Sequence, residues 1–122
     1  VNDYEARLMC EKTGRSEAEL AREVEALVVT LGAEGSRVHW CGEVFEVPAV
    51  RADAIVDPTG CGDAYRAGLL HGIAAGWDLR RSARLAAVMG ALKIAQRGGQ
   101  NYAPSRADVG ARYREAFGED LW

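Results

Sequence analysis

The 122-residue chain is 48% hydrophobic and 27% charged, with a net charge of −3. That length suits one domain with a real core, and the slight acidity argues against a general nucleic-acid-binding surface. No apolar run approaches the ~20 residues of a membrane span. Three cysteines, Cys10, Cys41 and Cys61, without C-x-x-C spacing, point to a reduced, cytoplasmic setting with neither zinc nor a disulfide framework.

Asn2 followed by Glu5 has the spacing of a helix capping box. Ala6, Leu8, Met9 and Cys10 then predict a short helix ending near Gly14. Ser16 and Glu19 repeat the capping pattern and lead into Leu20, Val24 and Leu27, spaced as on an amphipathic helix. The run from Ala26 to Leu31 is apolar and β-branched, as in a strand buried on both faces. Residues 32–36 are turn chemistry. Residues 37–41 and 43–47 read as two returning strands around a tight Cys41-Gly42-Glu43 connection. His39 lies within a strand pattern, with no second ligand-type residue near it in sequence, and reads as a packed or edge histidine.

Ala54-Ile55-Val56 reads as a fourth strand, and a helix is expected from Ala64 to Ala75 with Leu69, Leu70 and Ile73 buried and Gly68 allowing close approach. Ser82 is the expected start of the next helix, with Leu85, Val88, Met89 and Leu92 along its buried stripe. Asp108 to Phe117 is a last surface helix, and residues 118–122 are expected to fray.

Between the fourth strand and its helix lies Asp57-Pro58-Thr59-Gly60-Cys61-Gly62-Asp63. Glycines at a strand-to-helix junction let the backbone turn sharply and come close to a ligand. The amides at the helix start then form an anion site. A carboxylate there is a poor choice for a pure phosphate binder. It suits a base that takes a proton from a hydroxyl while the amides hold transferred charge. The alternative is a tight turn with Asp63 as a helix cap, and the local pattern leaves both open.

The run resembles the D-T-x-G-A-G-D signature of the ribokinase-like (PfkB) carbohydrate kinase family, with Pro58 for a second Thr and Cys61 for Ala. The resemblance implies Asp63 as catalytic base and Gly60, Cys61 and Gly62 as the anion hole. It implies that Asp57 and Thr59 flank a monovalent cation such as K+. Asn2 and Glu5 match the family's N-x-x-E motif, which implies magnesium held through water. Thr30, Gly32 and Gly35 match its T-x-G-x-x-G nucleotide turn, and Gly99, before Gln100, fits its G-x-Q loop near the adenine. No Walker A pattern occurs.

The resemblance therefore implies a layered α/β, ribokinase-like fold, in which this chain is the C-terminal portion with a mixed sheet flanked by helices. Residues 1–122 would form the ATP-binding and catalytic part, with the N-terminal part of the same protein absent. Mg-ATP and a sugar or nucleoside are the implied ligands, and a homodimer is compatible. The expected activity is transfer of the γ-phosphate to a hydroxyl of the acceptor, with little or none by the 122 residues alone. The other reading is a catalytically silent nucleotide-binding or assembly fragment that lacks the acceptor pocket.

Overall fold

The computed structural model describes residues 1–98 and 103–122. The chain divides into two compact units, Val1–Pro48 and Ala49–Trp122.

The first unit opens with helix α1, Asp3–Thr13. Asn2 and Glu5 close the expected capping box, and Gly14 ends the helix in the left-handed region (φ 67°), its N–H donating to the Cys10 carbonyl. Helix α2, Glu17–Ala21, is one short turn capped by Ser16. The amphipathic helix expected through Leu27 does not continue. Val24 is exposed, and Leu27 belongs to strand β1, Ala26–Thr30. Here the β-branched run and its cross-strand hydrogen bonds override the four-and-three spacing.

Strands β2, Ser36–Trp40, and β3, Glu43–Val47, complete an antiparallel sheet in the order β1-β2-β3. Val28, Val38 and Phe45 lie abreast across it. The two-residue Cys41-Gly42 turn has φ of 53° and 75°, the primed geometry that matches strand twist. On the opposite sheet face, β2 presents Arg37 and His39 to Glu17, the first residue of α2. Arg37 makes two 2.7 Å bonds to that carboxylate, and His39 Nε2 lies 2.5 Å from Oε2. At the other edge of β1, Thr30 N donates to Val1 O at 2.9 Å and Asn2 pairs with Thr30 in parallel. The three-stranded sheet itself is antiparallel where a mixed one is expected, and this parallel contact is a single isolated bridge at its edge.

In the second unit, the strand expected at Ala54–Val56 is not formed, and Ile55 is 81% exposed. A strand needs a neighbouring backbone offering both donors and acceptors. Here the Val56 and Asp57 amides share a single acceptor, the Ile94 carbonyl, at 2.9 and 3.1 Å. Helix α3 spans Cys61–Ala74, helix α4 Leu79–Ile94 and helix α5 Arg106–Phe117.

The buried side of α3 is not the one the apolar spacing predicts. Leu69 is half-buried, but Leu70 is 63% exposed and Ile73 is also exposed, while Gly68 and Gly72 face α4. A Cβ at Gly68 would stand 2.9 Å from Ala86 Cα, and one at Gly72 2.7 Å from Ser82 Cβ. Close backbone approach therefore sets this packing. Helix α4 starts one turn earlier than expected, because Asp78 caps it by accepting from Arg81 N at 2.8 Å. Ser82 lies inside the helix and donates to the Asp78 carbonyl. Leu85, Val88, Val109, Tyr113 and Leu121 form the core between α4 and α5. The C-terminal residues are packed where fraying is expected. Leu121 is buried, its carbonyl accepts from Arg81, and Arg106 lies 4.3 Å over the Trp122 ring.

Candidate active site

In the second unit the site is built on the turn into α3. Asp57 anchors it. Its Oδ1 accepts from Thr59 N and its Oδ2 from Gly98 N, each at 2.9 Å. The N–H and hydroxyl of Thr59, then the Gly98 N–H and the charge of Lys93, hold the Asp57 carboxyl at about 2. The carboxylate thereby ties the turn to the segment that follows α4.

Gly60 then adopts the left-handed conformation (φ 82°) as the N-cap of α3, so no side chain caps this helix. The Cys61 amide donates back to the Pro58 carbonyl at 3.1 Å. Among the described residues, the Gly60, Gly62 and Asp63 amides meet no acceptor. These three, rather than Cys61, are the open donors at the positive end of the helix dipole. Burial pushes the Cys61 thiol up, with Lys93 opposing and Asp57 reinforcing, so it is a packing group and not a thiolate.

Asp63 occupies the third position of α3 and makes no capping bond. Its side chain is 85% exposed and accepts one bond from Arg66 Nη1 at 3.0 Å. The helix-cap alternative therefore does not describe it. The carboxylate stands in solvent on the same turn as the open amides.

Lys93, near the end of α4, escaped the sequence reading. It is 2% exposed, and its ammonium donates to the Gly98 carbonyl. A signal was present: Leu85, Met89 and Lys93 fall four residues apart, which puts a lysine on the apolar stripe. Beside the end of the same helix, an open cleft of about 560 Å³ is lined by Leu92, Ala95, Ala103 and Pro104, with Asp108 and Arg112 among its polar members. Gly99 lies outside the described residues.

In the first unit, Asn2, Glu5 and Thr30 are brought together at the carboxyl end of β1. Asn2 Oδ1 accepts from Glu5 N at 2.7 Å, and Glu5 Oε1 accepts from Asn2 N at 2.8 Å. The cap uses one carboxylate oxygen of Glu5. Its second oxygen remains for solvent, which fits a magnesium ion held through water and gives no direct ligand cage. Among the described residues no His, Cys, Asp and Glu cluster could hold a metal directly. Gly32 and Gly35, with φ of 61° and 93°, bracket a single 3-10 turn closed by the 3.1 Å bond from Gly35 N to Gly32 O. Both conformations disfavour any side chain.

Several known proteins resemble this chain in sequence and fold. A nucleoside kinase of Methanocaldococcus jannaschii is 35% identical over 82 residues, 67% of this chain and 27% of that protein. A fructokinase of Escherichia coli is 35% identical over 119 residues, 89% of this chain and 38% of the relative. Among solved structures, a Burkholderia thailandensis nucleoside kinase in complex with inosine superposes with a TM-score of 0.95 at 53% identity, over 98% of this chain and 39% of that one. The chain spans 27–39% of the length of these relatives, and it shares their ribokinase-like α/β fold. Among the described residues, no helix is long and apolar enough to cross a membrane. Residues 1–106 match the model of the pfkB family carbohydrate kinases, and the chain belongs to that family.

Proposed function

We propose that this chain is the C-terminal, ATP-binding and catalytic portion of a kinase that transfers the γ-phosphoryl group of ATP to a hydroxyl of a nucleoside or sugar. The observation that carries the reading is Asp63: an exposed carboxylate on the first turn of α3, free of any capping duty, beside open amides. Asp63 accepts the proton of the acceptor hydroxyl, whose oxygen bonds to the γ-phosphorus as the bond to the ADP oxygen breaks. The Gly60, Gly62 and Asp63 amides stabilise the oxygens of the group in transit. Cys61, whose own amide is engaged, serves by keeping the turn small.

Asn2 and Glu5 would hold a magnesium ion through water, and the ion would supply positive charge against the phosphates of the nucleotide. Thr30, Gly32 and Gly35 form the turn toward the nucleotide, and Gly99 belongs to its adenine side. The cleft beside Ala95 and Pro104 has room for a purine base. Catalysis on this reading is mainly positioning and electrostatics.

A nucleoside is the favoured acceptor. The Burkholderia protein, 53% identical over almost the whole chain, is described with inosine and with ADP-inosine. The test is transfer from Mg-ATP to inosine, adenosine, ribose and fructose by the full-length protein that carries this chain. Nucleosides phosphorylated in preference to the free sugars support the reading. ATP binding without transfer to any acceptor would leave a nucleotide-binding protein instead.

A further inference from the structure

The monovalent cation that the resemblance places beside Asp57 and Thr59 does not fit the described residues around that turn. A potassium ion needs several oxygens with free lone pairs and no positive charge at its side. Asp57 Oδ1 accepts from Thr59 N and Oδ2 from Gly98 N, both at 2.9 Å, which leaves one lone pair on each oxygen, so the obstacle to a cation is the charge already beside them. The next acceptor along, the Gly98 carbonyl, receives the ammonium of Lys93. Lys93 is buried to 2% exposure, so solvent screens its charge poorly, and a second cation next to it would be strongly repelled.

The same peptide unit is held from both ends. Gly98 N donates to Asp57 and Gly98 O accepts from Lys93, so carboxylate, peptide and ammonium form one chain of bonds. A buried lysine is costly unless its charge is matched, and here its charge acts on the Asp57 carboxylate. Lys93 comes from the last turn of α4, a rigid element, and so delivers its charge to a fixed place.

We propose that Lys93 is a resident substitute for the monovalent cation: its ammonium holds the Asp57 turn, and the protein needs no potassium to order it. Lys93 is on this account a positioning residue, acting on the open amides of α3 through Asp57 and the Gly98 peptide. Its importance for catalysis rests on the proposed kinase reading. Cation binding and melting are read without any acceptor, so a failed kinase assay and a failed cation test are separate results.

The experiment uses the full-length protein that carries this chain. Thallium NMR, with thallous ion as a potassium surrogate, is combined with thermal melts in potassium chloride and in choline chloride at equal ionic strength. The wild-type protein is expected to show no saturable thallium site and the same Tm in both salts. The Lys93→Gln variant is expected to melt several degrees lower in choline chloride and to recover in potassium chloride, because the vacated charge can now be supplied from solution. A saturable thallium site in the wild type that Asp57→Asn removes would overturn the proposal. So would a Lys93→Gln protein that melts like the wild type in both salts. If Lys93→Gln does not fold in either salt, the wild-type thallium titration decides alone.

Discussion

At the residue scale, the decisive group is Asp63, and its partner among the described residues, Arg66, holds it weakly. The Asp63–Arg66 pair is exposed on both sides and spaced i,i+3. Such pairs contribute roughly 0.2–0.5 kcal/mol, so on the proposed reading Asp63 is released at little cost when an acceptor binds. Arg66→Met is accordingly expected to change unfolding free energy by less than about 0.5 kcal/mol, measured by urea denaturation. Asp57 behaves differently. Its carboxyl lies below its ordinary 3.8, at about 2, so its contribution to stability is full above pH 3.8 and is lost as the pH falls through about 2. Both aspartates were legible in the sequence, since a carboxylate at each end of a glycine turn is unusual chemistry. The division of labour among the amides was not. That Cys61 N turns to Pro58 while Gly62 and Asp63 stay open depends on backbone geometry that residue types do not encode.

At the element scale, the α3–α4 contact is the clearest departure from apolar periodicity. Leu70 and Ile73 have the right spacing for a buried stripe, yet Gly68 and Gly72 carry the contact. Periodicity counts large apolar residues and misses faces where helices meet through the absence of side chains. Gly72→Ala would place a methyl 2.7 Å from Ser82 Cβ and 2.9 Å from its Cα. It is expected to destabilise by about 1–3 kcal/mol through overpacking. Gly90→Ala, inside α4 with open space around the new methyl, is expected to stabilise by roughly 0.5–1 kcal/mol through helix propensity. Paired chemical melts of the two variants check both signs.

The Glu17–Arg37–His39 cluster joins α2 to β2 by bonds between residues far apart in sequence, so neither short pattern announced it. The bond from Arg37, then that from His39, hold the Glu17 carboxyl at about 2 against an ordinary 4.5, with partial burial opposing. Its folded value is depressed, so the stabilisation is complete above pH 4.5 and disappears as the pH falls toward 2. Glu17→Gln is expected to cost about 1.5–3 kcal/mol at pH 7. The gap to wild type should close in unfolding curves taken near pH 2, and a gap independent of pH would contradict the assignment.

At the scale of the whole molecule, the element order and family were legible because three short motifs fall in one order along the chain. The failures have a common form. The strand expected at Ala54–Val56 has strand-like residues, but among the described residues no neighbouring strand pairs with it, and Ile55 and Leu70 stand exposed. Sequence patterns record what a segment is suited to bury; they do not supply the surface that buries it. The chain covers 27–39% of the three relatives compared above, and on the proposed reading the 122 residues alone transfer little or no phosphate.

The most direct measurement is therefore made on the full-length protein that carries this chain: phosphoryl transfer from Mg-ATP to inosine by wild type and Asp63→Asn, with ATP affinity measured in parallel. Loss of a general base of this kind costs on the order of 10²–10⁴-fold in kcat, and ATP affinity should stay unchanged. A variant that keeps the wild-type kcat would contradict the central claim that Asp63 takes the acceptor's proton.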